Sequence, residues 1–478
     1  MELRDYQSRM LEEARAHMRQ GRRRVLLQLP TGGGKTVMAA EMLGGAAKRG
    51  LRSHFNVHRK ELIEQTSRTF GDVGIPHGFI AAGLPFNPHA LVCLNGVQTL
   101  ANRLEHIKAP DLVVTDECHH ATATTWDTIF RAFPDAYQIG LSATPERLDG
   151  RGLKDYFDVM VKGPTVAELI ARGFLSPYRY FAPGKPDLVG VPTRAGDFNR
   201  GELGELMDKP KLIGDVVEHY LRLARGKQGV VFAVSREHSR HLAEAFAAEG
   251  VRAAHVDGSM ADKERAAIVG AFRAGDLDMM VNVDLFGEGF DVPGLVYAGL
   301  ARPTKSLALF LQQVGRALRI FPGKDQAIIA DHAGNAFTHG LPDDEREWTL
   351  EGRKKGGRTK SSDDAFSIRQ CPDCYRVSAS GTAICPGCGH EFPAQARAAA
   401  TEDGELFELE RLAAKNRATE QRKAEERAAT TMAELIRLGR ARGYANPSGW
   451  AKMKLDQRSG RFFAARRSHA SQPRRATA

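Results

Sequence analysis

RVLLQLPTGGGKTVMAAEML, residues 24–43, falls into three consecutive pieces: an apolar strand, a glycine loop and an amphipathic helix. In that order the loop sits between a strand end and a helix start, where backbone N–H groups point outward and attract anions. Gly32, Gly33 and Gly34 let those N–H groups converge with no Cβ in the way. Lys35 adds charge for the β and γ phosphates of a nucleotide, and Thr36 adds a hydroxyl for magnesium. Leu29 stands where the general pattern G-x-x-x-x-G-K-[ST] asks for glycine, so the loop has a shorter form.

Outward from this stretch the same rhythm repeats. RSHFNV, ALVCL, DLVVTDE and YQIGLSA follow as apolar runs, each trailed by helix-like sequence. A second series, GVVFAV, VRAAHV, DMMVNV, LVYAGL and QAIIAD, begins near Lys211. Such alternation predicts two α/β domains, each a parallel sheet with helices on both faces and ligands at the carboxyl ends of its strands. A chain of 478 residues is long enough for two such cores and extra modules. The expected organisation is a nucleotide-binding domain over 1–165, a linker with an insert over 166–210, a second domain over 211–335 and a linker over 336–366. A cysteine module over 367–393, a charged helical segment over 394–440 and a basic tail over 441–478 complete it.

The strand DLVVT delivers Asp116 and Glu117 at its carboxyl end, beside the expected phosphates. Asp116 would hold magnesium through water, and Glu117 would orient and deprotonate the water that attacks the γ phosphorus. This chemistry makes the chain a hydrolase. Cys118 and His119 come next, with no second ligand at metal spacing.

Asp116-Glu117-Cys118-His119 together with PTGGGKT resembles the DEAD/DEAH-type helicases of superfamily two. The resemblance implies two tandem RecA-like domains and further motifs. Arg4 and Gln7 in LRDYQ would read adenine, so the nucleotide would be ATP. Ser142 and Thr144, with His119, would couple hydrolysis to nucleic acid. In VNVDLFGEGFDVP, Gly289 and Asp291 would approach the nucleotide and its ribose. In QQVGRALR, Gln312, Arg316 and Arg319 would share one helix face, with both arginines reaching the γ phosphate as arginine fingers. His58, Arg59 and Lys60, then Gln98 and Thr99, would grip nucleic-acid phosphates from the first domain. Ser235, Arg236, Gly258, Ser259, Thr304 and Lys305 occupy comparable turns in the second. Each of these turns also reads as a helix cap or a solvated turn.

Cys371-Pro-Asp-Cys374 and Cys385-Pro-Gly-Cys388 are two C-x2-C knuckles at the spacing of one tetrahedral metal, structural zinc before rubredoxin-like iron. His390 is an alternative fourth ligand. IIADHAGN followed by a zinc ribbon resembles RadD-like DNA-repair helicases and related phage or prophage helicases, which favours DNA over RNA. The net charge of +10 is uneven: residues 441–478 hold nine Lys or Arg against one acidic residue, Asp456. That tail suits a polyanion or is a solubilising end, and it or the ribbon could recruit a protein partner. Tyr444 and Trp450 would stack on bases or pack a helical hairpin. No apolar run reaches the roughly 20 residues of a membrane span, and the start lacks a secretion signal, so the expected address is cytoplasmic. An RNA helicase, a restriction-system motor subunit and an ATP-gated clamp without unwinding are the alternatives.

Overall fold

The computed structural model describes residues 2–119, 123–146, 152–183, 186–188, 190–194, 196–284, 292, 294–351, 368–392, 425–426, 428–441 and 447–458. They fall in two units, Met1–Phe392 and Pro393–Ala478.

The first unit opens with a seven-stranded sheet of β1 (Arg24–Gln28), β2 (Ser53–Val57), β3 (Gly78–Ile80), β4 (Val92–Gly96), β5 (Leu112–Thr115), β6 (Tyr137–Ser142) and β7 (Val159–Lys162). Its order is β3-β4-β2-β5-β6-β1-β7, and every pairing is parallel. Helices α1 (Asp5–Arg19), α2 (Lys35–Ala47), α3 (Lys60–Asp72), α4 (Val97–Ala101) and α5 (Ala123–Ala132) cover it. β2 is buried along its whole length, SHFNV, and only the first residue of β1 is not fully buried. Strands covered on both faces need such continuous burial, which is why they read as near-unbroken apolar runs. Asn56 of β2 is satisfied inside the sheet: it donates to Thr115 Oγ1 at 3.3 Å and its Oδ1 accepts from Asn95 Nδ2 at 2.9 Å.

A second parallel sheet follows, of β8 (Tyr178–Phe181), β11 (Gly229–Phe232), β12 (Ala253–Asp257), β13 (Met279–Val283), β14 (Tyr297–Leu300) and β15 (Ala327–Asp331). Its order is β12-β13-β11-β14-β15-β8. A small hairpin of β9 (Thr193–Arg194) and β10 (Asp197–Phe198) lies between β8 and β11 in the chain. The helices are α6 (Val166–Ala171), α7 (Arg200–Met207), α8 (Pro210–Ala224), α9 (Arg236–Ala248), α10 (Asp262–Ala274), α11 (Leu307–Ala317) and α12 (Ala336–His339). Local chemistry sets several ends. Thr165 and Glu168 form a capping box at α6, Pro210 opens α8, and Ser306 accepts from Leu309 N at the start of α11.

Two stretches read as linkers are parts of the packed unit. Within 166–210, β8 forms the edge of the second sheet by pairing with β15, which its isolated YRYF sequence does not announce. Past α12, residues 341–351 run as a strap back to the first sheet. Leu350 O accepts from Leu153 N at 2.8 Å and Lys154 N at 2.9 Å, and Glu351 pairs with Lys154 at 2.7 Å. Arg346 holds the strap's shape by donating to the carbonyls of His339, Leu341, Pro342 and Asp344.

The cysteine module pairs β16 (Ile368–Gln370) with antiparallel β17 (Val377–Ala379). It covers the free edge of β8: Ala182 N donates to Tyr375 O at 3.0 Å, Arg376 bridges to Phe181, and Val377 is buried in the main core. An exposed strand edge is otherwise a template for unwanted pairing.

In the second unit, helices Met432–Ala441 and Pro447–Arg458 form a hairpin with Leu435 and Ala451 fully buried. Trp450, half-buried, packs there against Gly439, as the hairpin reading expects. Residues 394–424, Tyr444 and the tail beyond 458 lie outside the described residues. Among the described residues, no helix is long and apolar enough to cross a membrane.

Candidate active site

The glycine loop joins β1 to α2, and Gly34 is the residue at which the chain turns into the helix, with φ 89°. Left-handed backbone is open to glycine at little steric cost, so Gly34 lets the loop close around a small anion. Gly32 and Gly33 precede it, and Lys35 and Thr36 start α2. The loop is braced from α1. Tyr6 Oη donates to Gly33 O at 2.7 Å, and buried Gln7 donates to the same oxygen at 3.1 Å. Gln7 Oε1 accepts from Arg4 N at 2.9 Å. Gln7 is thus on the loop and Arg4 beside Gln7, with the Arg4 guanidinium 4.6 Å from the Phe174 ring centre.

Lys35 Nζ lies 3.0 Å from Glu117 Oε1, with both side chains about nine-tenths buried. Asp116 and Glu117 follow β5, and Glu117 adopts φ 44°. A non-glycine residue with positive φ is uncommon and concentrates where a side chain must be aimed. Here the turn aims Glu117 at the loop, with Oε2 3.6 Å from His119 Nδ1. His119 Nδ1 is in turn 2.8 Å from Ser142 Oγ, which donates to Thr144 O at 2.9 Å and accepts from Thr144 N at 3.1 Å. Lys35, Glu117, His119, Ser142 and Thr144 therefore form one continuous polar chain at the ends of β1, β5 and β6. Cys118 lies beneath it, and burial pushes its thiol well above the usual range.

The second sheet contributes α11. A Cβ on Gly315 would lie 2.6 Å from Thr31 Cβ, so this helix rests directly on the phosphate loop. Gln312 and Arg316 are buried in it. Arg319 does not continue their face: α11 ends at Ala317 with Leu318 as its cap, and Arg319 follows in the turn. Its side chain still reaches the loop, with Cγ 3.8 Å from where a Cβ on Gly32 would stand, and burial lowers it to about 10. Gly289 and Asp291 lie outside the described residues.

The candidate nucleic-acid contacts all follow carboxyl ends of strands, and their surroundings differ. His58 and Gln98 are exposed and Thr99 is half-buried. Arg59 and Lys60 face the second sheet: Arg59 Nη1 donates to Asp284 O at 2.7 Å, and Lys60 pairs with Asp262 at 3.3 Å. Arg265 pairs with Glu61 at 3.1 Å in the same seam. Ser235 caps α9, while Arg236 Nη1 donates to Ser259 Oγ at 3.0 Å next to exposed Gly258. Thr304 is buried and donates to Asp197 Oδ2 at 2.9 Å, which fastens the β9–β10 hairpin, and Lys305 lies over the Phe198 ring at 4.6 Å.

Sequence reading overlooked the segment Arg172–Ser176. Arg172 and Arg4 flank the Phe174 ring, Leu175 packs at Gly32, and Ser176 N donates to Leu318 O at 2.7 Å. No spacing rule marks residues that act by joining two motifs made elsewhere.

In the cysteine module, Cys371 and Cys388 Sγ are 3.5 Å apart, Cys374 and Cys385 Sγ are 3.6 Å apart, and all four lie within 4.8 Å of one another. A tetrahedral site with metal–sulfur bonds of about 2.3 Å places its sulfurs roughly 3.8 Å apart, so the thiols fit one zinc ion. The two knuckles match bond for bond. Tyr375 N donates to Cys371 O and Cys371 N to Arg376 O, as Gly389 N does to Cys385 O and Cys385 N to His390 O. His390 Nδ1 is 2.7 Å from Asp373 Oδ2, and these two with Cys371 form an overlapping group of possible ligands.

Two domain families match in chain order: "Type III restriction enzyme, res subunit" over residues 1–147 and "Helicase conserved C-terminal domain" over 209–321. A Lactococcus phage "51.5 kDa protein" is 37% identical over 369 residues, covering 77% of this chain and 78% of its own length. The chain belongs to the superfamily-two helicases. This helicase is also 30% identical over 357 residues to the Saccharomyces cerevisiae protein named "Putative ATP-dependent helicase IRC3", covering 70% of this chain and 51% of that one. It thus spans about half the length of its yeast relative. A fragment of a "putative HsdR subunit of a type I restriction enzyme" from Vibrio vulnificus YJ016 superimposes with TM-score 0.56 at 23% identity, over 70% of this chain and 65% of that one. That likeness confirms the tandem RecA-like fold. The helicase carries its family's ATP-hydrolysing, nucleic-acid-binding motor.

Proposed function

We propose that this helicase couples ATP hydrolysis to movement along DNA, or to its unwinding, in DNA repair, recombination or replication. The observation that carries the reading is the packing of α11 on the phosphate loop, with Gly315 against Thr31 and Arg319 beside Gly32. Hydrolysis in this arrangement draws on both domains, which is what a motor needs to turn nucleotide chemistry into relative domain motion.

Bound ATP with Mg2+ supplies the scissile phosphoanhydride and neutralises its charge. Lys35 exchanges Glu117 for the β and γ phosphates, and Thr36 and Asp116 face the cation. Glu117, released from Lys35, orients and deprotonates the attacking water. Gln312, Arg316 and Arg319 close over the γ phosphate, where guanidinium charge stabilises the transition state. His119, Ser142 and Thr144 relay the state of Glu117 to the end of β6, and Arg4 and Gln7 recognise adenine. Gly289 and Asp291 keep the role that the resemblance gives them. His58, Gln98, Thr99, Arg236, Ser259 and Lys305 offer the more accessible contacts to phosphates, with Arg59, Lys60, Ser235, Gly258 and Thr304 shaping the same rim. Cys371, Cys374, Cys385 and Cys388 hold a structural Zn2+. The ribbon's resemblance to DNA-repair helicases and the match to restriction-enzyme subunits support DNA over RNA.

The test is ATP hydrolysis by the full chain, alone and with single-stranded DNA or RNA, followed by strand displacement on tailed duplexes. Stimulation by DNA, lost in Lys35→Ala, is expected. Absent stimulation sinks the motor reading, stimulation by RNA alone makes the track RNA, and hydrolysis with no displacement or translocation makes the protein a clamp.

A further inference from the structure

Arg319 lies beyond the last turn of α11, so the helix's own hydrogen-bond ladder does not fix its backbone. The last carbonyls of a helix have no partner within it and must find one elsewhere. Leu318 O accepts from Ser176 N at 2.7 Å. The oxygens on either side, of Ala317 and Arg319, both accept from one ammonium, Lys324 Nζ, the second at 2.7 Å. The chain returns through Phe321-Pro322-Gly323, where Gly323 has φ 77° and Lys324 N donates to Phe321 O at 3.0 Å, and this tight turn carries Lys324 back beneath the helix end.

We infer that Lys324 is a positioning residue for hydrolysis, clamping the backbone on both sides of Leu318 so that Arg319 is presented to the phosphate loop. A cation at a helix C-terminus is favoured by the unpaired carbonyls and the helix dipole. Burial, and after it the Arg319 guanidinium, lowers Lys324 to about 8. A second cation is therefore held against Arg319 despite a cost, and the two carbonyl bonds are what offset it. The inference rests on the reading of Arg319 as an arginine finger.

Steady-state ATP hydrolysis of the full chain at saturating single-stranded DNA tests it with Lys324→Met, Lys324→Arg, Arg319→Ala and the double variant Lys324→Met/Arg319→Ala. Displacing a catalytic group by about 1 Å costs about 10²-fold. Lys324→Met should therefore lower kcat by about 10- to 100-fold with KM for ATP nearly unchanged. Lys324→Arg should restore most of the rate, and the double variant should be no slower than Arg319→Ala, since both changes act through one group. Wild-type kcat in Lys324→Met beside a disabled Arg319→Ala overturns the inference and leaves the finger standing. Wild-type kcat in Arg319→Ala overturns the finger itself. Should Lys324→Met fail to bind a fluorescent ATP analogue, Lys324→Gln, which keeps a neutral donor, replaces it. A loss in Lys324→Gln that Lys324→Arg does not repair means general folding support and also refutes the clamp.

Discussion

Gly315→Ala adds one methyl group where the two domains meet, and its effect follows from distances. The new Cβ would stand 2.6 Å from Thr31 Cβ and 2.7 Å from Thr31 Cγ2, whereas ordinary contact begins at 3.4 Å, a deficit of 3.4 − 2.6 = 0.8 Å. Thr31 cannot simply yield, because Gly33 N donates to Pro30 O at 3.0 Å and Tyr6 fastens Gly33 O from α1. Nor can α11, whose residues 312–317 are all buried. The gap must open between the domains, drawing Arg316 and Arg319 back from the phosphates by a large fraction of an ångström. A misplacement of about 1 Å can cost about 10²-fold in rate, equivalent to roughly 2.7 kcal/mol in the barrier. The expected result is a kcat for DNA-stimulated hydrolysis reduced by about two orders of magnitude with KM little changed. Stability should fall as well, because overpacking a buried contact costs about 1–3 kcal/mol, more than the roughly 0.5–1 kcal/mol by which alanine outranks glycine in a helix interior. Gly270→Ala, in α10 with nothing within 4 Å of its Cβ, is the control: it should gain stability and keep full activity. Thr31→Gly, which removes the colliding atoms, should partly repair the Gly315→Ala rate. A Gly315→Ala enzyme with kcat within twofold of wild type would refute the claim that hydrolysis requires this contact.

Glu117→Gln should lower kcat by about 10²- to 10⁴-fold, the usual weight of a general base, while equilibrium binding of ATP persists; equal losses in binding and rate would make Glu117 a structural partner of Lys35 only. Metal analysis should find one zinc per chain, and chelation should strip protection from the Ala182 amide in hydrogen exchange, because that amide donates to Tyr375 O in the ribbon; unchanged protection would show that the ribbon's fold does not depend on metal. Leu350→Asp should release the strap from the cluster of Trp126 and Phe157, seen as faster exchange at the Leu153 and Lys154 amides that donate to Leu350 O; exchange as slow as in the wild type would mean the strap is held without this side chain.

The nucleotide site was legible because its chemistry is local. Asp116 and Glu117 follow the apolar strand β5, Lys35 opens α2 after the loop that follows β1, and a parallel sheet must bring the ends of such strands to one rim. The phosphate-gripping turns were less legible, since a basic turn beside a helix start suits a phosphate and a carboxylate equally. Lys60 shows the second outcome, paired with Asp262 across the domain seam, while Arg59 bonds the main-chain oxygen of Asp284 beside it. Thr304 shows a third, turned inward to a carboxylate 107 residues earlier in the chain, a separation over which no local pattern carries information. β8 was missed for the same reason, since YRYF becomes a strand only through β15, some 150 residues later. These residues also set a constraint on the motor. The Arg59 nitrogen that bonds Asp284 O cannot give the same hydrogen to a phosphate, so gripping the track there would exchange an interdomain bond for an intermolecular one. Loss of that bond removes one tie of a seam that Lys60–Asp262 and Arg265–Glu61 also hold. If Arg59 grips the track as proposed, contact there and domain closure at Gly315 draw on this one seam, and the coupling runs in both directions.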